Sequence, residues 1–338
     1  MAKDRGTKLI SKIDFCPEYR EDGEKTAPVE IGRFKYFGQI ARKRNASLLT
    51  ANLMFLLFLI PVLAIFVLLE VFGGVENIAY KLSGTSNAPY LLSGIGFGMS
   101  NAEISTLDIR LQMLNVYYIL FAAIGLAAFV MCMGYGGMTH LSAKFIMNDV
   151  FIAKKDNYGN LVPRAIKEYF KGVKRTAGPM AIVGGIMLVL FAGIGNIFVW
   201  FVGEFWKNNA GAGHWILVIF AGIIALFTLM FLVHFIPAIV VFDASLKSKA
   251  KNSIILAIRY FLPTLAVVIV FAVPFVLSST INLYISVIIL AVLLVYGSKW
   301  TSLILCNYEQ YIAEKLITPV YNGMSGKGKK QKNKNNKK

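Results

Sequence analysis

Long uninterrupted apolar runs, each flanked by polar and basic residues, divide this chain. The hydrocarbon core of a bilayer is about 30 Å thick and takes roughly 20 residues of helix to cross. Six runs approach or meet that length, at 48–69, 116–138, 179–202, 215–242, 261–277 and 280–300. Within lipid, backbone N–H and C=O groups must be bonded inside the segment, which leaves helices or closed barrels. Barrel strands alternate apolar and polar residues over about ten positions, whereas these runs are apolar on every face. The pattern predicts an all-α fold: a polytopic membrane helix bundle of about six transmembrane helices with amphipathic cytoplasmic helices. The fifth run is the shortest and contains Pro274, and only Ser278 and Ser279 mark its boundary with the sixth, which predicts a tight helical hairpin.

Between the runs the period changes. At 32–44, Phe34, Phe37 and Ala41 share a helical face with basic residues mostly elsewhere, which predicts a short helix on the inner leaflet. After Pro163, a residue suited to a first helical turn, Ile166, Tyr169, Phe170 and Val173 form an apolar stripe at i, i+3, i+4 and i+7. Arg164, Lys167, Lys171 and Lys174 line another face. A third helix is predicted at 245–260, with Ile254, Ala257, Ile258 and Phe261 on one side and Pro263 opening the next span. These faces suit contact with lipid or docking of a cytoplasmic partner. The predicted organisation is a cytoplasmic segment with an interfacial helix (1–47), a six-span membrane domain (48–306), and a C-terminal helix end with a disordered Lys-rich tail (307–338). The one sizeable external segment, 73–115, is rich in Gly, Ser and Asn.

Composition supports this reading, and charge orients it. The 338 residues are 57% hydrophobic, with a mean hydropathy of +0.62. Of the 35 Lys and Arg residues, all but Lys81, Arg110 and Lys207 fall on one side of the six runs. Basic residues near span ends stay cytoplasmic, so the expected location is the cell membrane, multi-pass, with both termini cytoplasmic. Trp200, Trp206 and Trp215 fall at the outer boundary and Trp300 at the inner one, where amphipathic rings prefer to sit. The net charge of +17 is read as orientation plus attraction to an anionic inner leaflet, and no nucleic-acid partner is expected. The first span is expected to stay uncleaved, because a very long polar stretch precedes it and no small-x-small site follows.

Little reactive chemistry stands out. The sequence from Gly323 to Lys330 imitates a phosphate loop, but Lys330 stands where Ser or Thr must reach magnesium. His140, His214 and His234 are scattered, and no two of Cys16, Cys132 and Cys306 have motif spacing. No catalytic, cofactor or metal residues are predicted, and the chain is read as a non-enzyme. Polar groups inside spans are costly and therefore of interest. They are Asn52, Asn196 and His234, with Thr228 beside them and Glu70 and Asp243 at span ends. Asn52, Asn196 and Thr228 are read as interhelical hydrogen-bonding groups, and His234 as the first residue to mutate. Residues expected to meet lipid or a partner are Arg164, Lys167, Phe170, Lys171, Lys174, Asp243, Lys247 and Lys251. Ala181, Gly185, Ala192 and Asn196 near one face, and Gly134, Gly136 and Gly137 in the second run, predict close helix approach and offer a face for a homo-oligomer.

NLMFLLFLIP in the first run, AIKEYFKGVKR in the second cytoplasmic loop, and HFIPAIVVFDASLKSKAKNSIILAIRYFLPTL later in the chain resemble the YesL family of bacterial multi-pass membrane proteins. The last block is the best match: a Pro, the Phe242–Asp243 pair, a Leu-Lys pair, and a Lys-Asn before an apolar helix. The resemblance covers about 37–306, and this chain departs from it in a longer external segment, an extended second loop and the Lys-rich tail. It implies an accessory or regulatory role beside an ABC-type carbohydrate importer, with that importer's permease as partner. The alternative is a transport permease subunit in its own right. A cytoplasmic helix between the fourth and fifth runs, followed by Leu262–Pro263, fits a permease coupling loop in outline, but its Glu-Ala-Ala start and downstream Gly are missing. A membrane enzyme acting on lipid is disfavoured, because no cluster of Asp, His or Arg is visible at one interface.

Overall fold

Helices dominate the computed structural model, which describes residues 33–71, 106–146, 153–155, 161–242, 244–280 and 296–312, with isolated positions 75, 78 and 292. In chain order the elements are α1 (Arg33–Lys43), α2 (Asn45–Val71), α3 (Thr106–Ile146), β1 (Ala153–Lys155), β2 (Leu161–Pro163), α4 (Ala165–Leu188), a π-helical segment (Val189–Gly195), α5 (Asn196–Trp206), α6 (Ala212–Val241), α7 (Leu246–Arg259), α8 (Phe261–Thr280) and α9 (Ser298–Ile312). Among the described residues, four helical stretches are long and apolar enough to cross a membrane: Asn45–Leu69, Arg110–Ile146, Ala165–Trp206 and Ala212–Val241. A fifth is present if the bent pair α7 and α8 counts as one span. The chain is thus built as a helical membrane protein. Most of the sixth expected span, 280–300, lies outside the described residues, as do Asp243, most of 73–105, the N-terminal stretch to 32, and the tail from 313.

Several boundaries differ from the sequence expectation. α3 begins ten residues before the predicted 116, inside the segment read as an external loop. Pro163 closes the short antiparallel β1–β2 pair, in register Ala153 to Pro163, and does not enter the helix that starts at Ala165. The amphipathic helix expected after Pro163 and the run expected to begin at 179 join in one continuous helix through Pro179. Proline removes the bond to the carbonyl four residues back. A buried stripe of Ala165, Tyr169, Gly172, Thr176 and Met180 runs past that position and carries the helix through it.

The described residues form two compact units, one from parts of Met1–Leu57, Met133–Met180 and Thr228–Lys338, the other from parts of Phe58–Cys132 and Ala181–Phe227. Hydroxyl and amide contacts zip the first unit together. The Ser142 and Ser302 hydroxyls lie 2.9 Å apart, Tyr135 donates to Thr301 Oγ1 at 3.1 Å, and the Ser298 hydroxyl donates to Asn52 Oδ1. α1 is held by Tyr36, which donates to the Ile146 carbonyl at 3.0 Å, and by Phe37, whose ring centroid lies 5.7 Å from that of Trp300. Here α3 and α4 meet at glycines. A Cβ on Gly137 would lie 2.8 Å from the Tyr169 carbonyl oxygen, and one on Gly172 would lie 2.6 Å from His140 Cβ.

In the second unit, Gly184 faces Phe129 and Gly195 faces Phe121. The expected contact at Gly185 is not found among the described residues, where a Cβ on Gly185 would meet nothing within 4 Å. Trp200 stacks on His214 at 4.9 Å and Phe201 meets Trp215 edge-on at 4.7 Å, which clamps the turn between α5 and α6. Asn208 takes the left-handed conformation there (φ 57°), which Asn tolerates better than most residues.

Candidate functional site

The first unit contains a fully enclosed polar cluster built from three helices. α6 is apolar nearly throughout, and His234 sits in its last third. α9 buries Ser302, Leu303, Leu305, Cys306, Glu309, Gln310 and Ile312. That spacing turns Glu309 inward along with the apolar stripe. The third component, Thr264, is positioned by a corner. Pro263 has no N–H to give the Arg259 carbonyl, which weakens the helical ladder past the end of α7. The chain turns by 95° at Tyr260 into α8. Thr264 then falls in the first turn of α8, with its N–H donating to the Tyr260 carbonyl at 2.9 Å.

His234, Thr264 and Glu309 have no solvent exposure. His234 Nδ1 lies 2.9 Å from Glu309 Oε2, and Nε2 lies 3.0 Å from Thr264 Oγ1. The Tyr308 ring centroid is 5.6 Å from the imidazole, and its hydroxyl lies beside Thr264. Among the described residues, Glu309 Oε1 is buried without a hydrogen-bond partner. The hydroxyl–imidazole–carboxylate order has the connectivity of an acyl-transfer triad. Thr264 is nevertheless fully enclosed, so a substrate carbonyl has no approach to its oxygen. The cluster is a buried chain of contacts from a hydroxyl through an imidazole to a carboxylate.

A second cluster lies where α3 ends and α4 begins. Lys144 Nζ donates to Glu168 Oε2 at 3.2 Å, with His140 Nε2 3.9 Å from the same oxygen. All three residues are buried. Nearby, Lys249 of α7 reaches into the unit and donates to the Ile239 carbonyl at 2.8 Å. The last carbonyls of a helix lack helical donors, and a cation at that end also suits the helix dipole.

The outward faces of α4 and α7 carry the residues predicted to meet lipid or a partner. Arg164, Lys167, Phe170, Lys171 and Lys174 are exposed at the start of α4, and Lys247 and Lys251 are exposed on α7. The predicted apolar stripe on α4 divides in two: Tyr169 turns inward and is fully buried, whereas Ile166 (48% exposed) and Phe170 (43%) stand among the lysines. α7 mixes polar and apolar residues on both its faces, with Leu256 and Ala257 buried and Lys247 and Lys251 exposed. Lys249, Asn252 and Ser253 are buried, and Ile254 (51%) and Ile258 (60%) are exposed.

Asn52 is fully buried and bonded across helices. Asn196 follows the π-helical segment in the other unit, and its side-chain oxygen is buried without a partner among the described residues. His234 is joined to Glu309, a residue of the C-terminal helix end. The available signal was the spacing of Ser302, Cys306 and Glu309, which continues one helical face past position 306. Among the described residues, no group of three or more His, Cys, Asp or Glu side chains could hold a metal ion. The chain matches no protein-family model, no curated protein and no solved structure.

Proposed function

We propose that this chain is a non-catalytic accessory or regulatory protein of the cell membrane, with six spans and both termini cytoplasmic. In this reading it rests on the anionic inner leaflet and docks a permease of an ABC-type carbohydrate importer. The observation that carries the reading is the outward face of α4 and α7, where Ile166, Phe170, Ile254 and Ile258 are exposed beside Arg164, Lys167, Lys174, Lys247 and Lys251. Aliphatic groups interleaved with lysine suit an interface where acyl chains take the former and anionic headgroups the latter. The resemblance to the YesL family supplies the importer as partner.

A second reading, a permease subunit in its own right, draws on the 95° turn between α7 and α8. In this reading α7 is a short cytoplasmic helix across the entry to a span, as a coupling helix would lie. The test is purification of the tagged chain from its native host in mild detergent, with mass spectrometry of what co-elutes. Stoichiometric recovery of a sugar-transporter permease supports the accessory role. Recovery of an ATPase without another permease favours the second reading. Recovery of the chain alone refutes both.

A further inference from the structure

We propose that His234, Glu309 and Thr264 form a proton-binding site inside the helical unit, with one exchangeable proton shared between imidazole and carboxylate. The inference is independent of the accessory role and rests on three features of the cluster.

The first is that both ring nitrogens stay hydrogen-bonded in two protonation states without moving a heavy atom. A neutral imidazole has one donor and one acceptor, a charged one has two donors, and a hydroxyl can play either part. When the ring is neutral, Nδ1–H donates to Glu309 Oε2 at 2.9 Å and Nε2 accepts from the Thr264 hydroxyl at 3.0 Å. When the ring is charged, both nitrogens donate and the Thr264 oxygen accepts. The incoming proton occupies Nε2, and the threonine proton rotates away from the ring. A valine or leucine at position 264 could not make this exchange.

The second is charge balance. A neutral ring beside an ionised Glu309 leaves one net negative charge in a site with no solvent exposure. An unbalanced buried charge is expensive, and adding one proton to either partner removes it. Among the described residues, the imidazole is the one ion-pair partner of Glu309. The other titratable groups around the cluster do not supply a compensating cation at the carboxylate. From α9 these are Cys306, Tyr308 and Tyr311, and Tyr260 stands at the α7–α8 corner. Arg259 places its guanidinium 5.8 Å from the Tyr260 ring centroid and its Nε 3.4 Å from the Tyr260 hydroxyl.

The third is the bonding of the carboxylate. Among the described residues, Glu309 Oε1 is buried without a hydrogen-bond partner. A carboxylate built as a permanent structural anion would have both oxygens satisfied. This one is left half-satisfied, as suits a group that is relieved by a proton. Thr264 opens α8 directly after the 95° turn, so proton binding acts on the joint between α6, α8 and α9.

The experiment uses full-length protein in lipid nanodiscs with ring-15N-labelled histidine. The chain has three histidines, and His234→Gln assigns the resonance of interest. Spectra are taken from about pH 5 to about pH 9, the range in which imidazole charge is read most directly, together with infrared difference spectra of the carboxyl region. The expected result is a reversible transition in the His234 ring or in a buried carboxyl band, which Glu309→Gln abolishes. Absence of both signals in the unmodified protein overturns the proposal, as does an unchanged ring transition in folded Glu309→Gln. If Glu309→Gln does not purify, Thr264→Val takes its place. A displaced transition then supports the site, and a transition at the same pH overturns it.

Discussion

Substituting Gly137 with alanine tests whether α3 and α4 are held at the distance the fold requires. A Cβ at this position would lie 2.7 Å from Tyr169 Cε2 and 2.8 Å from the Tyr169 carbonyl oxygen. The ring has little freedom to yield. Its hydroxyl donates to the Gly134 carbonyl at 3.0 Å, and its face meets Phe170 edge-on at 5.3 Å. The carbonyl belongs to the helix itself and moves only if α4 moves. Reaching ordinary contact needs a shift of about half an ångström, and overpacking of this kind costs about 1–3 kcal/mol. Against that stands the intrinsic gain of alanine over glycine in a helix, about 0.5–1 kcal/mol. Gly185→Ala is the control, because its Cβ would meet nothing within 4 Å and only the gain applies. The two variants should differ by about 2 kcal/mol, with Gly137→Ala the less stable. Each kcal/mol moves the melting temperature by about 2–4 °C in mid-sized domains. Tryptophan-fluorescence melting in one detergent reads the difference directly. If Gly137→Ala melts with or above Gly185→Ala, the close approach of these helices is wrong.

Two further substitutions probe other parts of the same unit. Glu168→Gln removes the carboxylate that Lys144 meets at 3.2 Å, in a pair whose side chains are only 8% and 10% exposed. Breaking a buried pair costs about 3–5 kcal/mol, so the single variant should melt well below the parent, with Lys144→Met plus Glu168→Met recovering most of the loss; equal melting of parent and Glu168→Gln contradicts this. Ser245 caps α7 by accepting from the Ser248 N–H at 3.3 Å. Ser245→Ala should cost about 1 kcal/mol or less, seen as faster hydrogen exchange in the first turn of α7 with the rest of the protein unchanged.

The membrane helices were legible in the sequence because a continuous apolar run of this length has few other uses. The run read at 48–69 is α2, the run at 215–242 is α6 within three residues, and the predicted helix at 245–260 is α7. The early start of α3 was hidden because TLDIRLQMLN mixes charge with apolar residues and lacks the signature of lipid burial. The junction of α4 with its span was obscured by Pro179, which reads as a boundary locally but lies on a helix whose inward stripe continues past it. Adjacent glycines defeated the reading in another way. Gly184 and Gly185 are equivalent in composition, and a rotation of about 100° per residue decides which one meets Phe129. The candidate site was half legible. His234 stood out as a polar group in an apolar run, but its partner lies 75 residues away, and no local spacing encodes a contact at that distance.

The mixed faces of α7 change which of its positions tolerate substitution. In a protein folded in water, surface positions accept almost anything polar and core positions demand a particular apolar shape. Here Ile254 and Ile258 face outward and Asn252 and Ser253 are enclosed. Ile254 and Ile258 should accept other greasy residues, whereas Asn252 and Ser253 should reject greasy residues of similar size. A substitution profile scored by the habits of soluble proteins would therefore misassign these four positions.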